Sequence, residues 1–356
     1  MTYLNRLFFK DAIKWIIMLK DSHFYIDLGT ANTLIHSKYK SFTINEPTMI
    51  VSKKLNRNQS EYLAMGIAAK GMQGKTPLTS LVLKPLSEGV ISDFNSASNL
   101  LRFFRKRIKE ESTWLNPRIL ISLPCLVNHH EKNAVKEIAR DIGARNVQLV
   151  DEPMLAALGS GINVLESKGH MVVDIGGGTS EAAIISLGGI VVANAIRIGG
   201  DSLDEAIISH LKNKYLFHVG EQTVEKIKIN VACAATGSFD FDKFIEIGGI
   251  DMTQGLPRKI KANSEMIAPP VESFVKEILK IIKKTFEDCP PELAGDIAEN
   301  GIVLAGGGSL LQGLPERIME ETGVLTKRCG DPLLSVTHGG IKLLHHNTLL
   351  ERLQTG

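Results

Sequence analysis

The chain has 356 residues, of which 44% are hydrophobic and 22% are charged, and its formal net charge is +2. That length allows two lobes with separate cores, and the nearly balanced charge gives no reason to expect nucleic-acid binding. The four cysteines lie far apart and lack the spacing of a zinc site, so we expect reduced thiols in a cytosolic protein.

Residues 1–22 are the first predicted element, a basic amphipathic helix. No small-residue cleavage site follows its apolar part, so we expect no secretory signal. The apolar run from Trp15 to Leu19 is far shorter than the roughly 20 residues that span a bilayer. The helix is expected to lie on a membrane surface, with docking on the protein's own core as the alternative. Its apolar face carries Leu4, Leu7, Phe8, Trp15, Met18 and Leu19, opposite Arg6, Lys10, Lys14 and Lys20.

Two later stretches share one pattern. In HFYIDLGTANTLIHS, a strand at Phe24 to Ile26 leads to Asp27, a turn at Gly29 to Ala31 and a second strand. MVVDIGGGTSEAAIISL repeats the order of strand, acid, glycine-rich turn and strand around Asp174. We interpret the pair as an internal duplication, which predicts two similar lobes that each offer one hairpin to a shared cleft.

Between the repeats, PRILISLP predicts a buried strand, and helical spacing predicts a helix from about His129 to Ile142. Val147 to Val150 read as another strand, and Pro153 suits the first position of a helix. Glu152 is therefore expected at the carboxyl end of a strand, where open α/β sheets bind ligands. A plain helix-capping acid is the alternative.

The second half continues with an amphipathic helix from about Ser202 and a helix-rich stretch that contains GEQTVEKIKINVA. Short strands are predicted around Phe244 to Ile250 and in LPRKIKA, followed by a helix near Val271 to Asp288. GIVLAGGGSLLQGLPERIMEETG predicts a buried strand, a triple-glycine turn and a helix. No low-complexity linker separates these segments, so the lobes should share one body.

The triple glycine at Gly176 to Gly178 does not fit a Rossmann or a Walker A site. SEAAIISLGGIVVA reads as a hairpin rather than the helix of a Rossmann fingerprint, and GxxxxGK[ST] is absent. A phosphate-binding hairpin remains, because glycines let N–H groups approach anionic oxygens and Thr30 or Thr179 adds a hydroxyl. Asp27 and Asp174 suit a magnesium ion held through water, since this ion takes few carboxylates.

A third glycine cluster, Gly306 to Gly308, follows a strand and is expected to open a helix. Its natural use is close backbone approach to a flat ring and its ribose, with the helix N-terminus directed at an α-phosphate. A plain tight turn is the alternative.

Nine motifs in succession carry a family resemblance: YIDLGTANTLI, NEPTMIV, KPLSEGVISDF, VDEPMLAALGSGI, MVVDIGGGTSEAAIISL, IRIGGDSLDEAII, GEQTVEKIKI, CPPELAGDIAENGIVLAGGGSLL and GDPLLSVTHGG. In order and spacing they resemble the MreB family of bacterial actin homologues, over nearly the whole chain from about Tyr25. The resemblance implies an α/β actin-like ATPase fold, with two duplicated lobes and four subdomains around a nucleotide cleft. It also implies ATP with magnesium, and a homopolymer of double, antiparallel protofilaments on the inner membrane.

The resemblance implies roles for single residues as well. Glu152, aided by Thr179, would orient the attacking water in a slow ATPase. Trp114 and Leu115 occupy the place of an apolar loop that enters lipid, with ordinary packing as the alternative. The implied nucleotide contacts are Thr30, Ala31 and Asn32 in the first hairpin, Gly176, Gly177 and Gly178 in the second, Glu225, Lys226, Ile227 and Lys228 beside the adenosine, and Gly306, Gly307 and Gly308 at the adenine.

The expected function is an ATP-dependent filament, peripheral on the inner face of the cell membrane, that scaffolds cell-wall elongation and maintains rod shape. Membrane proteins of the elongation machinery are the expected partners. After the helix at 1–22, the implied subdomains are IA at 23–50, 85–166 and 335–356, IB at 51–84, IIA at 167–199 and 268–334, and IIB at 200–267.

Departures from the family keep a diverged paralogue open. Ser180 replaces the usual second threonine after the triple glycine, and the segment from Cys233 to Phe244 is less acidic than in common members. A heat-shock chaperone of this superfamily would need a peptide-binding domain, for which we expect no room before Gly356. A sugar or acetate kinase would need a catalytic aspartate base, whereas the acid available here is Glu152. A plasmid-segregating actin homologue is the closest rival, and the lipid-facing features argue against it.

Overall fold

A computed structural model describes residues 23–38, 43–56, 59–111, 117–235 and 243–353. The strands up to residue 151 are β1 (His23–Leu28), β2 (Asn32–Ser37), β3 (Thr43–Pro47), β4 (Ile50–Asn56), β5 (Gln59–Met65), β6 (Ser80–Leu83), β7 (Leu86–Ser87), β8 (Val90–Ile91), β9 (Arg118–Leu123) and β10 (Asn146–Asp151). The later strands are β11 (His170–Ile175), β12 (Ser180–Ser186), β13 (Gly189–Ile196), β14 (Phe217–His218), β15 (Phe244–Asp251), β16 (Leu256–Asn263), β17 (Ile302–Ala305) and β18 (Thr326–Arg328).

The helices connect and cover these strands. They are α1 (Ile67–Met72), α2 (Phe94–Glu111), α3 (His129–Asp141), α4 (Glu152–Gly159), α5 (Gly200–Tyr215), α6 (Glu221–Val231), α7 (Ser264–Glu287), α8 (Pro291–Asn300), α9 (Leu314–Thr322), α10 (Ser335–His345) and α11 (Asn347–Leu353).

Two five-stranded sheets of identical plan form the two lobes. The order β10-β9-β1-β2-β3 in lobe I matches β18-β17-β11-β12-β13 in lobe II, strand for strand. In each sheet the first three strands in sequence form an antiparallel meander, and the other two add in parallel. The predicted duplication is confirmed, because each copy starts from an Asp-bearing strand and its hairpin.

Each lobe carries a smaller sheet. The strands β4, β5 and β6 form one in lobe I, with α1 packed on it through a small cluster that contains Ala69. The strands β14, β15 and β16 form the other, whose Ile247 and Ala262 join the large core of lobe II. The subdomain bounds stay a proposal, and the one placed between residues 267 and 268 falls inside α7.

A hydrophobic cluster that contains α4 and α10 joins the two large sheets. Tyr25 and Leu120 contribute from lobe I, and Val172 and Ala305 from lobe II. The two helices approach closely: a Cβ added to Gly339 would lie 1.9 Å from the carbonyl oxygen of Leu155, so only glycine fits there. This packing fixes α4, whose first residue is Glu152, against α10, which in turn packs on the strand that contains Asp27.

Most predicted elements are confirmed, but the start of α7 was predicted too late. The helix begins at Ser264, where the Asn263 side chain accepts a hydrogen bond from the Met266 N–H, and it contains Pro269 and Pro270. Pro270 has no N–H for the Met266 carbonyl, four residues earlier. His210 Nε2 lies 3.0 Å from that oxygen and replaces the missing donor.

Candidate functional site

The two glycine-rich hairpins are built alike. The Gly29 N–H donates to the Asn32 carbonyl at 3.1 Å in the first, and the Gly176 N–H donates to the Thr179 carbonyl at 2.8 Å in the second. Each turn therefore follows the acid of its lobe by the same number of residues. The exposed Ala31 and Asn32 lie on the outer part of the first turn.

The hairpins touch each other across the cleft. A Cβ added to Gly178 would lie 2.5 Å from Thr30 Oγ1, and one added to Gly177 would lie 2.9 Å from the Cβ of Ala31. Real Cβ atoms do not tolerate such distances without movement of their neighbours. The glycines are therefore required for the close approach of the two lobes, as well as for an open path to backbone N–H groups.

A third turn, absent from the predicted site, closes on both hairpins. Glu88 and Gly89 have φ values of 52° and 76° between β7 and β8, which is the signature of a tight type I′ hairpin. The Gly89 N–H donates to Thr30 Oγ1 at 3.0 Å. A Cβ on Gly89 would lie 2.5 Å from the Thr179 methyl carbon, so this turn contacts lobe II as well.

Four acids meet beneath the hairpins, and we call Asp27, Glu152, Asp174 and Glu181 the carboxyl cluster. Asp27 accepts hydrogen bonds from the hydroxyls of Ser122 at 3.1 Å and Thr337 at 3.3 Å. These donors favour the ionised form, but burial outweighs them and raises the Asp27 pKa to about 6.

Asp174 is the equivalent acid of lobe II and is 5% exposed. Burial, followed by the Asp27 charge, raises its pKa to about 7. Its Oδ1 is buried without a hydrogen-bond partner among the described residues. Gly306, with φ of 75°, packs directly beside it, since an added Cβ would lie 2.4 Å from that oxygen.

Glu152 is the first residue of α4 and lies only partly exposed next to the other acids. Burial raises its pKa well above the usual range, and the charges of Glu181, Asp27 and Asp174 add to the effect. It makes no capping contact that the structure shows, since the N-cap position belongs to Asp151. The site therefore holds Glu152 against like charges, which is typical of a functional group rather than a cap.

Glu181 was not among the predicted site residues. It lies on β12, is 1% exposed, and its Oε1 accepts a hydrogen bond from the Cys125 N–H of lobe I at 2.8 Å. Burial and the Asp174 charge raise its pKa to about 8. The sequence does carry a signal, because an acid inside the apolar run SEAAIISL is out of place in a buried strand.

The carboxyl cluster fits a hydrated divalent cation better than a directly coordinated one. Within the described part of the chain, no group of three or more His, Cys, Asp or Glu side chains has the arrangement of a metal site. Asp174 nevertheless has one buried oxygen without a hydrogen-bond partner among the described residues, and the Asp27 charge helps to raise the pKa of this acid. Magnesium keeps several of its waters and binds through one or two carboxylates, so this pair suits it.

Lobe I also contacts lobe II through α6. The Lys70 ammonium lies 3.0 Å from the Glu225 carboxylate, and the Gln222 amide donates to the Lys70 carbonyl at 2.6 Å. Gln73 of lobe I donates to Glu221. Glu225, expected beside the adenosine, thus also joins the lobes.

The other residues that were expected beside the adenosine lie on different faces of α6. The Lys228 ammonium donates to the Gly200 carbonyl at 3.0 Å and pairs with Asp204 at 2.7 Å. Lys226 is exposed, whereas Ile227 is fully buried in the core of lobe II. Helical spacing explains the difference, since successive residues of α6 face different sides.

The start of α5 links these lysines to the second hairpin. The Gly200 and Asp201 N–H groups donate to the carbonyls of Gly176 and Gly177 at 3.0 and 2.8 Å. The Asp201 carboxylate in turn receives Lys84 of lobe I at 3.0 Å. The second hairpin is therefore held by lobe II backbone and, through one ion pair, by lobe I.

Comparison with known proteins agrees with this geometry. The chain matches the family described as MreB/Mbl protein over residues 21–352. The chain belongs to the MreB/Mbl family.

Curated MreB/Mbl relatives align with nearly the whole chain. The cell shape-determining protein MreB of Escherichia coli (strain K12) is 41% identical over 321 residues, which are 90% of this chain and 92% of that protein. The cell shape-determining protein Mbl of Bacillus subtilis (strain 168) is 38% identical over 328 residues, or 92% and 97% of the two chains.

Solved structures show the actin-like fold. MreB5 of Spiroplasma citri bound to AMPPNP has a TM-score of 0.86 at 33% identity, covering 94% of this chain and 99% of that one. The same protein bound to ADP has a TM-score of 0.85 at 32% identity, with coverages of 95% and 100%. The predicted actin-like fold with two duplicated lobes is confirmed for this MreB/Mbl protein.

The turn predicted to lie at the adenine differs in structure from its prediction. Gly306, Gly307 and Gly308 follow β17 as expected, but they open a short 3-10 turn at Gly307–Leu310 rather than an α-helix. α9 begins only at Leu314. Gly308 packs on Ile175 so closely that an added Cβ would lie 2.2 Å from its side chain. The turn thus approaches the end of β11 through backbone, and no long helix points at the cleft from here.

Two groups of predicted membrane contacts lie outside the described residues. They are Leu4, Leu7, Phe8 and Trp15 in the N-terminal segment, and Trp114 and Leu115 before β9. Within the residues that the structure describes, no helix has the length and apolar character needed to cross a bilayer.

Proposed function

We propose that this chain binds ATP with magnesium between its lobes and hydrolyses it slowly. The contact of the two glycine hairpins directly above the carboxyl cluster carries the proposal. Their N–H groups suit phosphate oxygens from both sides. MreB5 of Spiroplasma citri, with the same fold, is bound to AMPPNP and to ADP in its solved structures, which supports a nucleotide in the same cleft.

Different residues of the chain bind the phosphates, hold the metal and orient the attacking water in the proposed hydrolysis. Thr30, Gly177 and Gly178 would contact the terminal phosphates, and Asp27 and Asp174 would hold magnesium through its waters. Magnesium, when bound, neutralises charge on the phosphates. Glu152, aided by Thr179, orients the attacking water. The water oxygen forms a bond to the γ-phosphorus as the bond from that phosphorus to the ADP oxygen breaks, and the water loses a proton, so that the products are ADP, inorganic phosphate and one proton.

The ion pairs across the cleft give the slow turnover a physical basis. Lys70 with Glu225 and Lys84 with Asp201 are ion pairs between the two lobes. Opening of the cleft would break both pairs, so cleft opening is expected to limit the exchange of product for substrate. Each pair is partly exposed and individually weak, which permits opening without loss of the fold.

We propose further that the chain assembles into double protofilaments on the inner face of the cell membrane and scaffolds cell-wall elongation. Membership of a family with cell shape-determining relatives supports this role. The apolar and basic faces of residues 1–22 suit an anionic lipid surface. A polymer presents many copies of a weak membrane contact, and its overall affinity for the membrane far exceeds that of one copy, so a short helix in each chain is enough.

Sedimentation tests the proposed filament. The full chain should pellet with ATP, magnesium and anionic liposomes, and a chain without residues 1–22 should lose much of the lipid-dependent part. That deletion ends before β1 and leaves every described strand intact. A substitution control replaces Phe8 and Trp15 with glutamate. If neither chain pellets with ATP and lipid, the membrane-filament function is wrong.

A further inference from the structure

The internal duplication contains one informative exception. In lobe I, Asp27 of β1 pairs in register with Leu34 of β2. In lobe II, the equivalent Asp174 of β11 pairs with Glu181 of β12. Directly opposite residues of an antiparallel pair share one face of the sheet, where two like charges destabilise the strands. Lobe II therefore carries a second acid at a place where lobe I has an apolar residue.

The environment of Glu181 disfavours a charged side chain. All seven positions of β12 are buried, and Glu181 is 1% exposed. One carboxylate oxygen, Oε1, accepts the Cys125 N–H of lobe I. The other, Oε2, is buried without a partner among the described residues. An unsatisfied buried oxygen costs free energy, so the fold alone gives no reason for glutamate here.

The unpartnered oxygen belongs to the same group of charges as Glu152. Glu181 is the charge that most strongly influences Glu152, and Asp174 is the charge that most strongly influences Glu181. Cys125 and Asp151 are the other groups that act on Glu181. Glu152 lies in lobe I and Glu181 in lobe II, and the Glu181 carboxylate reaches lobe I at the Cys125 N–H.

We propose that Glu181 is a second water-orienting carboxylate, which accepts one hydrogen of the attacking water through Oε2 while Glu152 accepts the other. An in-line attack requires a lone pair of the water oxygen to point at phosphorus, so both O–H bonds need acceptors elsewhere. With Glu152 and the Thr179 hydroxyl alone, one O–H bond of the water still lacks a carboxylate acceptor. Two carboxylates on opposite lobes fix the water, and they do so only while the cleft is closed. This role rests on the proposed ATP hydrolysis.

Two substitutions separate this role from a structural one. E181L introduces the residue that the lobe I repeat already has. It removes the unpartnered oxygen but also the acceptor of the Cys125 N–H, so the unfolding temperature should stay close to that of the wild type. E181Q keeps an oxygen for the Cys125 N–H and replaces the acceptor Oε2 with an amide that donates. Both should bind ATP with unchanged affinity and lower kcat on the order of 10- to 100-fold, because the water loses its alignment. S186A, at the other end of β12, serves as a control that should retain the wild-type rate.

The outcomes are distinct. Wild-type turnover in E181Q, with ATP bound, would overturn the proposal. Loss of both stability and ATP binding in E181L would show a structural acid and overturn it as well. If the wild type itself binds no ATP, the proposed function fails first, before any variant is compared. Binding is measured with a fluorescent ATP analogue, and turnover by phosphate release.

Discussion

The contact between the hairpins can be tested with one added methyl group. In G178A, the new Cβ would lie 2.5 Å from Thr30 Oγ1 and 2.9 Å from the Gly89 nitrogen. The backbone nitrogen cannot rotate away, so the hairpins must separate. Overpacking of this kind costs about 1–3 kcal/mol. Because nucleotide binding needs both hairpins together, the affinity for ATP should fall by roughly 5- to 150-fold.

The matched control is G71A, in the exposed helix α1, where an added Cβ meets nothing within 4 Å. Its ATP affinity should equal that of the wild type. Titration with a fluorescent ATP analogue measures all three proteins, and thermal unfolding without nucleotide checks that G178A is folded. Wild-type affinity in folded G178A would refute the idea that the two hairpins grip one ligand.

Three further predictions concern charge. E152A should leave ATP binding intact and suppress phosphate release, and loss of binding instead would identify a structural acid. A double-mutant cycle with K84A and D201A tests the interlobe ion pair by chemical denaturation with ATP bound. The coupling free energy should be about 0.5–1 kcal/mol, since both side chains are partly exposed. A coupling of zero would contradict the pair. The third concerns Asp174, whose pKa rises from 3.8 to about 7 on folding. The folded state therefore holds this proton more tightly, and the stability it contributes is present below about pH 4 and lost as pH rises through about 7. Without nucleotide, the unfolding temperature of the wild type relative to D174N should fall over that interval, and a rise would contradict the shift.

The duplicated framework could be predicted because its signals are local. Strands of period two on either side of an acid and a glycine turn define each hairpin, and the twin at Asp27 identified the unit around Asp174. The carboxyl end of β10 likewise predicted where Glu152 would lie. Each of these inferences needs only a few neighbouring residues, and the sheet orders confirm the repeat.

The features that sequence reasoning missed depend on distant partners. α7 runs through Pro269 and Pro270 because His210, far away in the chain, satisfies the freed carbonyl. Glu181 stands out as an acid in an apolar run, but its pairing with Asp174 appears only once β12 is in register with β11. The pair of Lys84 with Asp201 exists only when two lobes face each other. None of these can be read from a local window.

Calorimetric titration with AMPPNP tests the central claim most directly. One nucleotide should bind per chain in the presence of magnesium, and the affinity should collapse when EDTA removes the metal or when Asp27 and Asp174 are both changed to asparagine. Absence of binding would contradict a metal–nucleotide site between the hairpins. So would an affinity that stays unchanged both after EDTA treatment and in the double asparagine variant.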